Sequence, residues 1–139
     1  MDFITAYALS FLGTPYLWGG NNKLTGLDCS AFAIEILSSA GMAPPGDVSA
    51  QGLYAFLKVK GNNLIRPAPG AFLFYGNEHQ IRHVAYALSA FQIIEAGGGD
   101  ENTKTLDDAK KQGAMVRVRP YNHRKDLYRI VMPNYINGG

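Results

Sequence analysis

Cysteine occurs once in this 139-residue chain. A lone thiol excludes an intrachain disulfide and any multi-cysteine zinc or iron–sulfur site, so the fold must be held by packing alone. Charge is scarce as well: 17% of residues are charged, below the roughly 25% of an average domain. Thirteen Lys plus Arg against eleven Asp plus Glu leave a formal charge of +2, too even a balance to furnish a nucleic-acid-binding face. Long apolar runs are missing too. Pro15, Lys23, Asp28 and Glu35 interrupt the most hydrophobic region, so nothing approaches the roughly 18 apolar residues of a membrane span. The first twenty residues contain no Lys or Arg and no short apolar stretch ending in a small-residue cleavage site, which argues against a secretory leader. No repeat, low-complexity tract or linker is seen. What is present, 47% hydrophobic and 12% aromatic residues, suffices for one domain spanning 1–139 with a continuous core.

The apolar spacing organises the chain. Phe3, Ala6, Tyr7, Leu9 and Ser10 lie at helical spacing and stop at Gly13-Thr14-Pro15, because proline disfavours helical geometry for its predecessor. A Gly- and Asn-rich loop over 19–26 leads to Asp28, an N-cap residue type. The pattern then predicts a helix over 29–40, with Phe32, Ile36 and Leu37 on one stripe and Gly41 as its stop. Leu53, Phe56 and Leu57 predict a third helix from about 49 to 59, ended by Gly61 and Asn62. From Pro69 onward the period changes to two, and strands are expected over 71–75, 83–88, 92–96, 115–119 and 127–132. Helices first and strands second argue for an α+β domain whose antiparallel sheet packs against a helical half.

Cys29 is the residue that asks for chemistry. A free cysteine is commonly a small buried hydrophobe. This one opens a predicted helix, where backbone N–H groups and the positive dipole end favour thiolate over thiol; the neighbouring Asp28 pushes the other way. An active cysteine also needs an imidazole beside it, and the chain offers three. His123 lies in the charged run Asn122-His123-Arg124-Lys125-Asp126, most simply a solvated turn, and His79 lies in the polar loop 76–80. His83 opens a strand and is held by sheet packing. If 88–90 form a three-residue hairpin loop, Glu95 lies directly across from His83 on the same sheet face, with Cβ atoms roughly 5 Å apart. Glu95 then accepts the second imidazole N–H and fixes its tautomer, the orienting role of a triad's third member. A two-residue loop would send the two to opposite faces.

Three motifs in order, Gly13-Thr14-Pro15-Tyr16-Leu17-Trp18-Gly19-Gly20, then Leu27-Asp28-Cys29-Ser30, then His83-Val84-Ala85-Tyr86, closely resemble the NlpC/P60 family of papain-like cysteine peptidases, and the resemblance covers nearly the whole chain. It implies a permuted papain-like α+β fold and hydrolysis of peptidoglycan stem peptides, usually between D-glutamate and the following diamino acid. By resemblance Cys29 is the nucleophile, His83 the general base and acid, and Glu95 the third polar group. Tyr16 lines the nucleophile side of the cleft with a share in the oxyanion site; Asp28 and Ser30 hold the free amino end of the stem peptide, and Trp18 joins them in binding substrate.

The sequence departs from the family's pattern in places. The third position is most often histidine there, and glutamate binds His83 more strongly and raises its pKa. Ala31 replaces the glycine that usually follows Asp-Cys-Ser, and Pro69-Gly70-Ala71 stands for the usual Pro-Gly-Asp. Glutamate opposite a strand histidine also resembles the CHAP amidases, although the N-terminal motifs favour NlpC/P60.

Other features carry less. His79 and His83 are four apart, but the segment lacks a helical pattern and a third ligand, so neither metal nor cofactor is expected. Gly97-Gly98-Gly99-Asp100 lacks the Lys-Ser/Thr of a phosphate loop and reads as a flexible cleft edge. Arg117, Arg119, Arg124, Lys125 and Arg129 read as a solvated sheet edge. The expected partner is a peptidoglycan stem peptide at the bacterial cell wall, reached either by delivery on a larger assembly such as a phage tail or as a domain of a longer chain. The other reading is a structural or binding module that keeps the papain-like core with little activity.

Overall fold

The computed structural model describes residues 2–135. Helix α1 (Phe3–Leu9) starts where the Asp2 carboxylate accepts the Thr5 N–H at 2.7 Å. A two-stranded ribbon follows, β1 (Asn21–Asn22) and β2 (Gly26–Leu27). Then come α2 (Cys29–Ser39) and α3 (Ala50–Leu57), the latter capped by Ser49. The strands are β3 (Gly61–Asn63), β4 (Phe72–Gly76), β5 (Ile81–Ala87), β6 (Gln92–Gly97), β7 (Met115–Pro120) and β8 (Leu127–Pro133), with α4 (Leu106–Gln112) between β6 and β7. The α+β class and the segregation of three helices before the sheet agree with the sequence. Residues 61–63, expected only to end a helix, form an edge strand, and α4 was not foreseen.

The main sheet runs in the order β3-β8-β4-β5-β6-β7, antiparallel throughout. Period-two alternation decides its two faces. Phe72 and Phe74 join a large buried cluster with Phe32, Ile36 and Leu37 of α2 and Leu53 and Leu57 of α3. Leu73 and Tyr75 join a smaller one with Ala85, Ala87, Ile93 and Ile130. Because β4 is buried on both sides, its sequence reads as a continuous apolar run.

The β5–β6 hairpin corrects one expectation. It pairs Tyr86 with Ile94 and Ala87 with Ile93, and the Leu88 N–H bonds the Gln92 carbonyl at 2.9 Å. The turn therefore comprises 89–91, not 88–90. Shifting a three-residue loop by one moves each strand's partner by two, so Glu95 stays on the face of His83 but lies diagonal to it. Long side chains bridge such diagonals.

Candidate active site

Cys29 is the first residue of α2. Asp28 caps that helix: its backbone is extended (φ −85°, ψ −178°), and its Oδ1 accepts the Ala31 N–H at 2.9 Å and the Ser30 hydroxyl at 3.2 Å. As the first helical residue, Cys29 has an N–H with no acceptor inside the helix. The thiol is free and partly exposed. Burial raises the pKa of Asp28, and the bonds from Ala31 and Ser30 only partly offset it.

His83 is buried, and its Nε2–H donates to Glu95 Oε1 at 2.7 Å. That fixes the tautomer and leaves Nδ1 free of Glu95, in a ring that lines the same cleft as Cys29. Burial alone would push the imidazole toward neutrality. The hydrogen bonds to Cys29 and Glu95 and their charges outweigh it, so His83 keeps its proton up to a pKa of about 9. Glu95 shows the complementary behaviour: burial favours its neutral form, but His83 and then His123 hold it ionised down to about 2.

Two basic residues contact Glu95 in a way their sequence setting did not indicate. His123 does lie in an exposed turn as expected, but its side chain, 22% exposed, turns inward and its Nε2–H donates to Glu95 Oε1 at 3.1 Å. Arg117, expected at a solvated sheet edge, places Nε and Nη2 each 3.1 Å from Glu95 Oε2. Of the other basic residues, Arg124 pairs with Asp126 at 2.9 and 3.0 Å and lies over the Tyr75 ring. Of the five basic residues expected at a solvated sheet edge, Arg119, Lys125 and Arg129 are exposed and Arg117 and Arg124 are not. Register offered a signal for Arg117, since β6–β7 pairs it directly with Glu95; nothing local marked His123.

These groups line one cleft of about 820 Å³ with Tyr16, Trp18, Asp28, Ser30 and the glycines 97–99. Tyr16 is buried, with Gly99 so close to its ring that a Cβ there would collide. Burial, and next the charge of Cys29, raises the Tyr16 pKa, so its hydroxyl stays a donor. Trp18 is 55% exposed at the rim, and its backbone N–H donates to the Thr103 carbonyl at 2.7 Å. His79 lies apart in its loop, 86% exposed. Every residue singled out for the site thus lines the same cleft. Among the described residues no group of three His, Cys, Asp or Glu is arranged to hold a metal ion, and no helix is long and apolar enough to cross a membrane.

A gamma-D-glutamyl-L-lysine dipeptidyl-peptidase of Bacillus subtilis (strain 168) is 33% identical to this chain over 89 residues, 62% of the chain and 28% of that protein. The chain spans 16% to 28% of the length of the curated relatives it matches. Among solved structures, the NlpC/p60 domain of the peptidoglycan hydrolase SagA superimposes with a TM-score of 0.67 at 26% identity, over 92% of this chain and 94% of that one. RipD from Mycobacterium tuberculosis, a non-catalytic NlpC/p60 domain protein adapted to peptidoglycan binding, gives 0.68 at 22% identity over 96% and 95%. The sequence profile of the NlpC/P60 family, which includes peptidoglycan hydrolases, matches residues 13–123, and this chain belongs to that family.

Proposed function

We propose that this protein is a cysteine peptidase of the bacterial cell wall that hydrolyses peptidoglycan stem peptides, cutting the amide between D-glutamate and the following diamino acid. The observation that carries the reading is one cleft that holds Cys29 at the start of α2 together with His83, whose buried ring bonds Glu95 at 2.7 Å. The relatives' activities point the same way.

In this reading the Cys29 thiolate attacks the amide carbonyl, forming the S–C bond. The carbonyl oxygen gathers negative charge, met by the Cys29 N–H at the start of α2 and by the Tyr16 hydroxyl. The His83 imidazolium gives its proton to the departing amine as the C–N bond breaks. Water then attacks the thioester and gives its proton to His83; the C–S bond breaks, releasing the Cys29 thiolate beside the imidazolium and leaving a new carboxyl group on the peptide. Glu95 holds the imidazole in the tautomer both steps need. Asp28 and Ser30 meet the free amino end of the stem peptide, and Trp18 covers it from the rim.

Mass spectrometry of muropeptides released from purified sacculi tests this, because it reports activity and bond together. The wild type should release fragments ending at D-glutamate and Cys29→Ala should release none. Release by Cys29→Ala at the wild-type rate refutes the reading. A wild type that sediments with sacculi but releases nothing is the outcome expected of a binding module such as RipD.

A further inference from the structure

Glu95 is 1% exposed and receives more donors than a triad's third member needs. His83 requires only Oε1. Oε2 accepts a hydrogen bond from Arg117 Nε at 3.1 Å and has Nη2 at the same distance, so the guanidinium edge holds that one oxygen in place as well as balancing its charge. The backbone makes room for this grip. A Cβ on Gly97 would sit 2.6 Å from Glu95 Oε2 and 3.3 Å from Arg117 Nε, and one on Gly98 would sit 2.8 Å from Arg117 Nη1. Gly98 also has φ +83°, a conformation that costs glycine little. The glycine run that looks like a cleft edge in the sequence is therefore the seat of an arginine.

We propose that Arg117, seated against Gly97 and Gly98, is a positioning residue that fixes the Glu95 carboxylate so that Oε1 faces His83. The proposal deepens the peptidase reading and rests on it for its catalytic consequence.

A clamp and a bare neutralising charge leave opposite signatures at His83. If Arg117 merely repels the imidazolium, removing it lets His83 keep its proton to higher pH. If it holds Glu95 in place, removing it frees the carboxylate to drift, burial then dominates, and His83 loses its proton at lower pH. Charged and titratable groups facing this pair are His123 and Arg124 from the β7–β8 connection, Tyr75 from β4, Cys29 from α2, and Asp126 beyond His83.

The test is NMR titration of the His83 ring in wild type, Arg117→Leu, Arg117→Lys and Gly97→Ala, each checked for folding by circular dichroism. The expected result is a His83 midpoint lowered by about 1 pH unit or more in Arg117→Leu, with a smaller fall in Arg117→Lys, which keeps the charge but not the fork. Gly97→Ala leaves the arginine charge in place and displaces Oε2 by its Cβ, so it should also lower the midpoint. It decides the matter if Arg117→Leu does not fold. On peptide substrate, kcat should fall on the order of 10²-fold with KM little changed. A His83 midpoint unchanged or raised in the folded variants overturns the proposal. The titration does not depend on turnover: wild type that releases no peptide while the midpoints fall as expected overturns the reaction and supports the clamp. Release with an unmoved His83 overturns the clamp alone.

Discussion

His83 and Glu95 titrate away from each other, and the direction of each shift fixes where the pair contributes. His83 binds its proton more tightly in the folded protein, so its contribution to stability is complete below about 6.5 and is lost as pH rises through about 9. Glu95 binds its proton less tightly, so its contribution is complete above about 4.5 and is lost as pH falls through about 2. The urea midpoint should thus be level between these inner limits as far as this pair is concerned, and Glu95→Gln should flatten the slopes on both sides. Catalysis through an imidazolium follows the upper limit. The alkaline limb of kcat/KM should lie near pH 9, and Glu95→Gln should move it acidward by about 1–2 pH units; an unmoved limb would detach Glu95 from His83's protonation. Asp28 separates two roles in the same way. Asp28→Asn keeps an acceptor for the Ala31 N–H, so stability should stay within about 0.5 kcal/mol. KM should nevertheless rise by about tenfold if the carboxylate meets a substrate amine. Asp28→Ala should cost about 1 kcal/mol as well. Urea denaturation and steady-state kinetics on the two variants read both effects.

At the scale of elements, α4 is the helix whose local chemistry is strongest and whose burial is weakest. Thr105 and Asp108 form a reciprocal capping box, and Gly113 ends the helix in a left-handed conformation at φ +66°. Only Ala109 is buried. Thr105→Ala should therefore cost about 1 kcal/mol, read as a lower urea midpoint, with kcat unchanged because the residue lies outside the cleft. The same imbalance explains why α4 escapes a reading based on apolar period, even though Thr105-x-x-Asp108 and Gly113 are helix signals in the sequence. By contrast α2 is legible end to end, since Asp28, the Phe32-Ile36-Leu37 stripe and Gly41 agree. The hairpin is legible in parity but not in register: both three-residue turns keep His83 and Glu95 on one face, and only side-chain packing chooses between them. His123 is invisible for a different reason. It reaches Glu95 across 28 positions from a loop whose local composition is that of any solvated turn, so no local pattern carries the contact.

On the scale of the whole molecule, the proposed nucleophile and its proposed base come from different halves of the chain: Cys29 from the helical half, His83 and Glu95 from the sheet. Their alignment depends on the large buried cluster that joins α1, α2 and α3 to β4, β5, β6 and β7. Phe32 stands near its middle, 2% exposed and with its ring centroid 5.4 Å from that of Phe11. Phe32→Ala should cost about 3–5 kcal/mol, because it removes a large apolar surface and leaves a cavity beneath α2. The manner of unfolding is informative beyond the magnitude. A core shared by both halves predicts one cooperative transition. Trp18, the single tryptophan, sits on the cleft rim and reports the site, whereas far-UV circular dichroism reports the helices and sheet. In urea the Trp18 fluorescence, the dichroism and residual peptidase activity should share one midpoint in wild type and one lower midpoint in Phe32→Ala. A fluorescence or activity transition that precedes the dichroism would mean that the helical half leaves the sheet first, and that the shared core does not align the site.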